Sequence, residues 1–573
     1  MKPLDINNIK RFFCLPLIFK FKILRMKKIV VILGIMLIVI SCKKKELPVV
    51  FTTYDETSEI AEQQNHEIKR MQLKLIQSNY LDMNEVFKPF ENELAYFSEE
   101  DYNNLMPYII EQDIPSIQES VVKGILSYEE IVLFYLYRIR KFESNNQLAL
   151  HSIISLNPSV IQEAREKDKN RPYDTSYSLY GLPILLKDNI NTKGMPTTAG
   201  AFALKENKNT DDAFIVQKLK ESGALILGKA NLSEWAYYFC SGCPVGYSAI
   251  GGQTLNPYGR KIFETGGSSA GSGVSVAANY AVAAVGTETS GSILSPSSKN
   301  SVVGLKPTVG LLSRTGIIPI SSTLDTPGPM TKNVIDNAIF LAAMTGEDSR
   351  DLATKGNNMN IDYLKNLSKS TLKGKRFGIV KQLLSDSIYS IAVHKIREAG
   401  AEIIEFDPPK IGLEGFRTLL NVDMKNDLPH YLKNDADKSI SVTSVQDVID
   451  LNLQDSLKRA PYGQQLFDGI VSDTTSITSF KTIKQNLHEN GVTFFKKPMD
   501  SLNLDAVLSI NNYHAGFAAV AKYPCLTVPM GYQNSGEPIS LTFIAKPFQE
   551  QKLLQMGYAF EQISKIRKQP KDY

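Results

Sequence analysis

Two segments rich in glycine and serine hold the residues best suited to chemistry in this chain of 573 residues. Residues 266–273 read Gly-Gly-Ser-Ser-Ala-Gly-Ser-Gly, and residues 286–293 read Gly-Thr-Glu-Thr-Ser-Gly-Ser-Ile. Glycine lets the backbone make tight or left-handed turns, which present serine hydroxyls and backbone N–H groups. Ser268 and Ser292 lie 24 positions apart, so a helix packed between them can return the second loop to the first. The pattern predicts a site and not a linker.

A lysine ends an apolar run further upstream. Residues 180–190 read Tyr-Gly-Leu-Pro-Ile-Leu-Leu-Lys-Asp-Asn-Ile, as when a buried strand delivers polar groups to one edge of a sheet. If Lys187 is desolvated there, the pKa of its ammonium falls and a neutral amine is left that can act as a base. The alternative is a solvated lysine at the end of a surface strand. This segment alone leaves both readings open.

The first serine-rich segment also fits a different kind of hydrolase. Residues 267–271 match G-x-S-x-G, the nucleophile elbow of α/β-hydrolases, and an apolar helix follows as that motif requires. Ser269 would then be the nucleophile, and His514 is the candidate for the histidine that must follow. This reading leaves Lys187 and Ser292 without a role. Phosphate binding is disfavoured because the chain contains no Gly-x₄-Gly-Lys-Ser/Thr motif.

The elements that must position these residues alternate between strand and helix patterns. Residues 214–222 read as an amphipathic helix and residues 224–227 as a strand, and core material returns near the end, at residues 506–509, 525–528 and 539–545. This alternation predicts an α/β domain with a largely parallel sheet.

The domain is predicted to span residues 115–573. Capping-box patterns at Ser116 and Ser127 lead into it, and the second opens a strongly apolar helix. Residues 42–114 read as a tether followed by a helical extension and show no pattern for chemistry. The segment from Leu413 to about Phe495 is helical and more polar, and we expect it to line the substrate cleft.

Residues 1–41 are predicted to be a targeting segment, in which translation can begin at Met26. The twelve apolar residues 29–40 are too few to span a bilayer but suit the core of a signal peptide. Cys42 follows in a setting that resembles the lipobox of bacterial lipoproteins, although Val39 stands where that motif usually has Leu. We therefore expect a lipoprotein cut before Cys42 and anchored in the cell envelope, outside the cytoplasm; an uncleaved membrane anchor is the alternative.

Charge and cysteine content limit the other partners. The net charge is +4, but residues 1–41 hold eight Lys and Arg residues and one Asp, so the rest of the chain carries −3. A net charge of −3 does not favour nucleic-acid binding. Cys240 and Cys243 have CxxC spacing, which can close a small disulfide in an oxidising compartment and, without a second pair or a nearby His, is weak evidence for zinc.

Several motifs together resemble the amidase signature family. These are Lys187 within Gly-Leu-Pro-x₃-Lys-Asp, the Gly-Gly-Ser-Ser segment around Ser268, Gly-Thr-Glu-Thr-Ser-Gly-Ser-Ile around Ser292, and Gly-Leu-Lys-Pro ending at Pro307. The similarity covers roughly residues 115 to 570 and keeps the family's motif order. It implies a single domain whose mixed, largely parallel central sheet is covered by helices on both faces.

The resemblance also implies the chemistry. Ser292 maps to the nucleophile, Ser268 to a bridging serine after a cis peptide bond, and Lys187 to the base. The expected oxyanion donors are the backbone N–H groups of Thr289, Ser290, Gly291 and Ser292. Gly267 and Ser269 are expected to contact the substrate, and no cofactor or metal is required.

Within the family, residues 286–289 and 309–320 are most similar to bacterial peptide amidases, which hydrolyse C-terminal peptide amides. The expected substrate is therefore a peptide or amino-acid amide that releases ammonia. Ser290 and Leu294 depart from the family's usual residues beside Ser292, where they bear on substrate preference. A catalytically inactive binding lipoprotein of the same fold is a further alternative, and the targeting segment disfavours the family's cytosolic amidotransferase subunit.

Overall fold

The computed structural model describes residues 49–356 and 361–573. The predicted targeting segment and Cys42 lie outside these residues. Within the described ranges, no helix combines the length and the apolar character needed to cross a membrane.

The described residues form nineteen α-helices and thirteen strands. The helices are α1 Thr57–Gln63, α2 Met83–Phe87, α3 Glu91–Leu94, α4 Glu99–Ile109, α5 Ile114–Val122, α6 Tyr128–Glu143, α7 Val160–Lys169, α8 Phe214–Glu221, α9 Ala270–Ala277, α10 Leu294–Lys299, α11 Val334–Met344, α12 Ser387–Glu398, α13 Phe416–Asn434, α14 Val445–Leu453, α15 Ser456–Arg459, α16 Gln465–Ser472, α17 Ile477–Ser501, α18 Ala515–Ala521 and α19 Glu550–Ser564. The strands are β1 Ile153–Leu156, β2 Pro183–Lys187, β3 Leu225–Ala230, β4 Tyr247–Ser248, β5 Gly252–Gln253, β6 Ala283–Glu288, β7 Val303–Lys306, β8 Thr326–Thr331, β9 Arg376–Val380, β10 Glu402–Phe406, β11 Ala506–Ile510, β12 Cys525–Tyr532 and β13 Pro538–Ile544.

The predicted α/β fold with a mixed sheet is confirmed. Eleven strands form one sheet in the order β1-β3-β2-β6-β8-β7-β12-β13-β11-β9-β10, and helices pack around it. The parallel share is smaller than predicted, because parallel pairing is confined to β3-β2-β6 and β11-β9-β10. The strands between these groups pair antiparallel. The reason is that β12 and β13 form an antiparallel hairpin, β8 inserts antiparallel between β6 and β7, and β13 inserts antiparallel between β12 and β11.

Two capping patterns predicted from the sequence have different outcomes. At Ser127 the box forms: the serine side chain accepts from the Glu130 N–H, and the Glu130 carboxylate accepts from the Ser127 N–H. At Ser116 the box is absent because the N-cap of α5 is three residues earlier, at Asp113, whose side chain accepts from the Ser116 N–H. An aspartate is as good a cap as a serine, so the earlier start is physically sound.

The sheet brings two strand ends together. β2 and β6 are parallel neighbours, with Leu186 paired to Val285. Because parallel strands end at the same edge of a sheet, β2 delivers Lys187 to the edge at which β6 delivers Thr287 and Glu288. Helix α9, which begins directly after Ser269, packs against both strands. Its glycines at 271 and 273 permit close packing against the backbone of Asn231 and Pro296.

Helices α13 to α17 form an insertion between β10 and β11, which we call the helical insertion. It has an apolar core of its own, in which Met424, Leu428 and Phe467 are buried. Trp235, which lies outside the helical insertion, packs into the same core, with its ring 5.4 Å from that of Phe467. The helical insertion is therefore bound to the domain through shared apolar contacts.

Residues 66–78 of the N-terminal extension contact both the domain and the helical insertion, and we call this segment the strap. Arg70 pairs with Glu264 at 3.0 Å. The Lys74 N–H donates to the Tyr462 hydroxyl at 2.7 Å, and its ammonium donates to the Pro461 carbonyl at 2.8 Å. The strap thus connects two parts of the molecule that are far apart in sequence.

The question of whether the CxxC pair closes is answered by the structure. Cys240 and Cys243 form a disulfide. Cys525 is a free, buried thiol whose pKa is raised to about 12 by burial. A buried thiol of this kind is not reactive.

Candidate active site

Lys187 ends strand β2 and is fully buried. Its Nζ lies 2.7 Å from the Ser268 hydroxyl, 2.8 Å from the Thr287 hydroxyl and 3.1 Å from the Thr287 carbonyl oxygen. The reading of Lys187 as a solvated lysine on a surface strand is therefore wrong. The buried setting arises because every residue of β2 lies in the interior of the sheet.

The hydrogen-bond partners of Lys187 orient its nitrogen. The Thr287 carbonyl can only accept, and the Thr287 hydroxyl already receives a hydrogen bond from Asn189 Nδ2 at 3.0 Å. A neutral lysine has two N–H groups and one lone pair. If the two N–H groups point to Thr287, the lone pair points to the Ser268 hydroxyl. Thr287 and Asn189 thereby aim Lys187 at Ser268.

Burial favours the neutral form of this lysine. Desolvation lowers the pKa of Lys187 to about 7, and the nearby carboxylates of Asp325 and Glu288 oppose that shift. An ammonium pays a large desolvation penalty in such a site, whereas the amine does not. At neutral pH a large fraction of the side chain is thus an amine able to accept a proton.

The backbone around Ser268 is fixed on both sides. The peptide bond between Gly267 and Ser268 is cis, the geometry that the family resemblance implies. The Ser268 carbonyl accepts from the Ser233 N–H at 3.0 Å, and Ser268 itself is fully buried. A side chain at Gly267 would collide with Val245, since an added Cβ would lie 2.4 Å from Cγ1 of that valine. Glycine is needed here for close packing.

Ser292 lies in the turn that joins β6 to α10. We call this turn (residues 289–293) the nucleophile turn, after the role that the sequence predicts for Ser292. The Glu288 carboxylate accepts from the N–H groups of Ile293 and Leu294, at 2.7 and 3.0 Å, and so holds the end of the turn. Gly291 has a φ of +88°, which is accessible to glycine without strain. The turn is therefore shaped by one buried carboxylate and one glycine.

The middle of the nucleophile turn keeps its donors free. Within the described residues, the N–H groups of Ser290, Gly291 and Ser292 donate no hydrogen bond, and the Ser292 hydroxyl makes none either. Ser292 is only 9% exposed. Unpaired backbone donors next to a hydroxyl in a nearly dry site are suited to bind a negatively charged oxygen.

Asp325 supports the turn from the other side. Its carboxylate accepts from the Thr289 hydroxyl at 2.5 Å and from the N–H groups of Ile320 and Ser321, at 2.8 and 2.9 Å. Burial raises the pKa of Asp325 to about 6, although these hydrogen bonds oppose that shift. Asp325 therefore connects the nucleophile turn to the loop at residues 319–323.

A cavity of about 510 Å³ opens beside Asp325. Residues of the helical insertion, among them Asp427 and His430, form one wall, and Arg314 lies in the lining. The Arg314 guanidinium is paired with Asp351. Helix α13 thus lines this cavity, whose lining does not include Lys187, Ser268 or Ser292. That the polar helical segment lines the substrate cleft stays a prediction.

Ser269 and His514 have partners that do not fit an α/β-hydrolase. The Ser269 hydroxyl donates to the Thr287 carbonyl at 3.1 Å and accepts from the Thr287 N–H at 3.2 Å. His514 Nδ1 lies 2.6 Å from the Ser509 hydroxyl, and burial lowers the pKa of the ring to about 4. The two side chains make no hydrogen bond to each other, so the geometry does not support a Ser269–His514 pair. It also places Ser269, predicted to contact substrate, as a brace of the β6 backbone.

Three residues that position the site were not predicted from the sequence. Asn189 follows Lys187 by two positions at a strand end, so the two-residue period of a strand offers a signal for it. Thr287 lies within the motif that was singled out, but nothing in the sequence marks it as the partner of a lysine 100 positions away. Asp325 is joined to the turn only by the fold.

The described residues contain no group of three or more His, Cys, Asp or Glu side chains placed to hold a metal ion. The side chains assembled around Ser292 are hydroxyls, one amine and the two carboxylates of Glu288 and Asp325. They can transfer protons and attack a carbonyl carbon.

Comparisons with known proteins show the family of this chain. The family model described as Amidase matches residues 130–509. A probable amidase from Arabidopsis thaliana is 38% identical over 480 residues, which is 80% of this chain and 92% of the relative. An amidase family protein from Bacillus anthracis has a similar structure, with a TM-score of 0.82 and 39% identity over 87% of this chain and 99% of its own. The peptide amidase of Stenotrophomonas maltophilia aligns with a TM-score of 0.76 and 37% identity, covering 81% of this chain and 99% of its own.

Proposed function

The chain belongs to the amidase family, and from this premise we propose that it hydrolyses carboxamides through a Ser292–Ser268–Lys187 triad. The observation that carries the proposal is the contact of 2.7 Å between Lys187 Nζ and the Ser268 hydroxyl in a fully buried site. A serine hydroxyl needs a base before it can act as a nucleophile. The lysine, held neutral by burial, supplies that base through Ser268.

The first half-reaction forms an ester. Lys187 takes a proton from Ser268, Ser268 takes one from Ser292, and Ser292 Oγ forms a bond to the carbonyl carbon of the amide. The carbonyl oxygen becomes negatively charged and is bound by the free N–H groups of Ser290, Gly291 and Ser292. One such donor contributes about 3–4 kcal/mol to transition-state binding in known cases. The first half-reaction ends when the C–N bond breaks while Ser268 returns a proton to the nitrogen; ammonia or an amine leaves, and an ester to Ser292 remains.

The second half-reaction releases the acid. A water molecule then attacks the ester, giving its proton to the same relay, and the C–O bond to Ser292 breaks. The carboxylic acid product departs and the triad is restored. The proposed chemistry balances without a metal or an organic cofactor.

The proposed substrate class is a primary amide at the end of a peptide or on an amino acid. Support comes from the likeness of this chain to the Stenotrophomonas peptide amidase.

An ammonia-release assay tests the function. Purified protein is incubated with a panel of peptide amides, amino-acid amides, anilides and esters, and ammonia and other amines are measured separately. We expect ammonia from the peptide amides and none from a Ser292→Ala variant. Turnover of esters or anilides alone, with the peptide amides intact, would contradict the proposed substrate class.

The location of the protein is a separate proposal that rests on the sequence. The setting of Cys42 supports lipid attachment at this residue and an envelope-anchored enzyme. In a bacterial host, a radioactive fatty acid should label the full chain and should not label a Cys42→Ala variant. Equal labelling of both forms would show that Cys42 is not the attachment site.

A further inference from the structure

The loop between β11 and α18, residues 511–514, lies directly against the nucleophile turn. An added Cβ at Gly291 would lie 2.9 Å from Asn512 Nδ2 and 3.4 Å from Asn512 Cβ. Gly291 directly precedes Ser292, and consecutive Cα atoms are about 3.8 Å apart. The carboxamide of Asn512 is therefore a near neighbour of the nucleophile, although 220 positions separate them in sequence.

Asn511 fixes this loop. Its side-chain oxygen accepts from the Ser540 N–H at 2.8 Å, and its own N–H donates to the Ser540 carbonyl at 3.0 Å. Its carbonyl accepts from the Thr542 hydroxyl at 2.5 Å. Three hydrogen bonds to β13 hold the backbone on the residue before Asn512, so the position of Asn512 is set by the sheet.

The Asn512 side chain itself makes no hydrogen bond to any residue that the structure describes. Only its backbone carbonyl is engaged, by the Ala515 N–H at 3.0 Å. The side chain is exposed at the mouth of the site, next to the free N–H groups of the nucleophile turn. A fixed loop thus presents a carboxamide whose donor and acceptor are both available.

We propose that Asn512 is a substrate-positioning residue that binds the peptide unit next to the scissile amide; this deepens the proposed function and rests on it. A carboxamide offers one acceptor oxygen and two N–H donors in one plane. A peptide unit offers the complementary pair, an N–H and a carbonyl. A charged group on the substrate would be matched instead by an opposite charge, which asparagine lacks. The enzyme therefore selects amides that carry a peptide bond on the acyl side.

The test compares two substrates of similar length. One is an N-acetyl amino-acid amide, which has a peptide unit beside the scissile amide, and the other is an aliphatic primary amide with no peptide unit. Loss of two neutral hydrogen bonds, each about 0.5–1.5 kcal/mol, corresponds to roughly a tenfold effect. We expect Asn512→Ala to lower kcat/KM about tenfold for the N-acetyl amide, mainly through KM, and to leave the aliphatic amide within about twofold.

Two further variants sharpen the result. Asn512→Asp keeps the shape but replaces the donor by a charged oxygen that repels the peptide carbonyl, so its loss should be at least as large. Asn103→Ala, an exposed asparagine in α4 with no hydrogen bond from its side chain, is the matched control and should change neither substrate.

Each outcome decides the proposal. Selective loss on the N-acetyl amide supports it. An equal loss on both substrates, or no loss on either, overturns it while leaving amide hydrolysis intact. If the unaltered protein hydrolyses neither amide and a Ser292→Ala variant behaves identically, the proposed function itself fails, and the positioning role fails with it.

Discussion

The two halves of the site differ in how far the protein satisfies its own polar atoms. On the base side, Lys187 has three partners within the protein, and Thr287 is bonded in turn to Asn189 and Ser269. On the nucleophile side, the Ser292 hydroxyl, three backbone N–H groups and the Asn512 carboxamide have no partner in the described chain. One half is complete without substrate, and the other is completed only by it.

This difference separates proton transfer from recognition. A fully bonded lysine keeps its orientation whatever amide is present, so the base side is expected to be indifferent to the substrate. The free groups around Ser292 gain partners when a carbonyl binds. Substitutions on the base side should therefore lower activity on every amide, and those at Asn512 should discriminate between amides.

The largest effect is expected from removing the nucleophile. Ser292→Ala leaves no oxygen to attack the carbonyl, and loss of a nucleophile in comparable hydrolases lowers kcat by about 10⁴-fold or more. Ammonia release from a peptide amide measures it. Ser269→Ala, the neighbouring serine whose hydroxyl braces Thr287, is the control and should retain activity within about tenfold. If Ser269→Ala were the inactive variant and Ser292→Ala the active one, the assignment of the nucleophile would be reversed.

Removal of the base should follow closely. Lys187→Met fills the buried site with an apolar chain that accepts no proton, and we expect about 10³-fold or greater loss of kcat/KM on all amides. Lys187→Arg should be almost as inactive, because a guanidinium remains protonated.

His514→Ala is the control for the base, since that histidine contacts Ser509 and not the triad. It should keep near-normal turnover in the same assay. An inactive His514→Ala protein, or an active Lys187→Met protein, would show that Lys187 is not the base.

The pH dependence tests whether the titrating group on the base side is Lys187. Because the pKa of Lys187 is lowered to about 7, the working amine is present above that pH and is lost as the pH falls below it. We expect kcat/KM to fall about tenfold per pH unit below pH 7 and to level off above pH 8, with the same apparent pKa for different amides. A profile that is flat from pH 6 to 9, or whose midpoint moves with the substrate, would contradict a lysine base held neutral by burial.

The smallest effect in this series is expected from changing a residue that orients the Lys187 amine. Thr287→Val removes one acceptor of Lys187 with little change of shape, and the loss of one hydrogen bond of about 1–1.5 kcal/mol predicts roughly a tenfold lower kcat. Thr287→Ser keeps the hydroxyl and should restore most of the activity. Equal kinetics for the Val and Ser variants would mean that the hydroxyl does not orient the base.

The parts of the site that were found from the sequence are those in which residue type and local pattern coincide. Lys187 at the end of an apolar run, and Ser268 and Ser292 within glycine-rich turns, are visible because the backbone needs of each turn restrict the residues around it. The α/β fold was predicted from the alternation of strand and helix patterns, whereas the mixed sheet was implied by the family resemblance. The prediction of a capping box at Ser116 was wrong because Asp113 is also a good N-cap residue.

What could not be predicted depends on long-range packing. The antiparallel centre of the sheet follows from where β8 and β12 insert, which no local periodicity encodes. Asp325 and Asn512 reach the nucleophile turn across 33 and 220 positions from Ser292, through loops whose course is set by the sheet. Thr287 and Asn189 meet only because β2 and β6 are neighbours.

The strap gives the molecule a mechanical property. Its Lys74 is bonded to Tyr462 and Pro461 of the helical insertion, while its Arg70 is bonded to Glu264 just ahead of the turn that carries Ser268. A tilt of the helical insertion that widens the cavity beside Asp325 must either break the hydrogen bonds of Lys74 or move the strap with it. Opening of this cavity is therefore coupled to movement of the N-terminal extension. When an inhibitor occupies the cavity, amide hydrogen exchange should slow in residues 66–78 and in the helical insertion together.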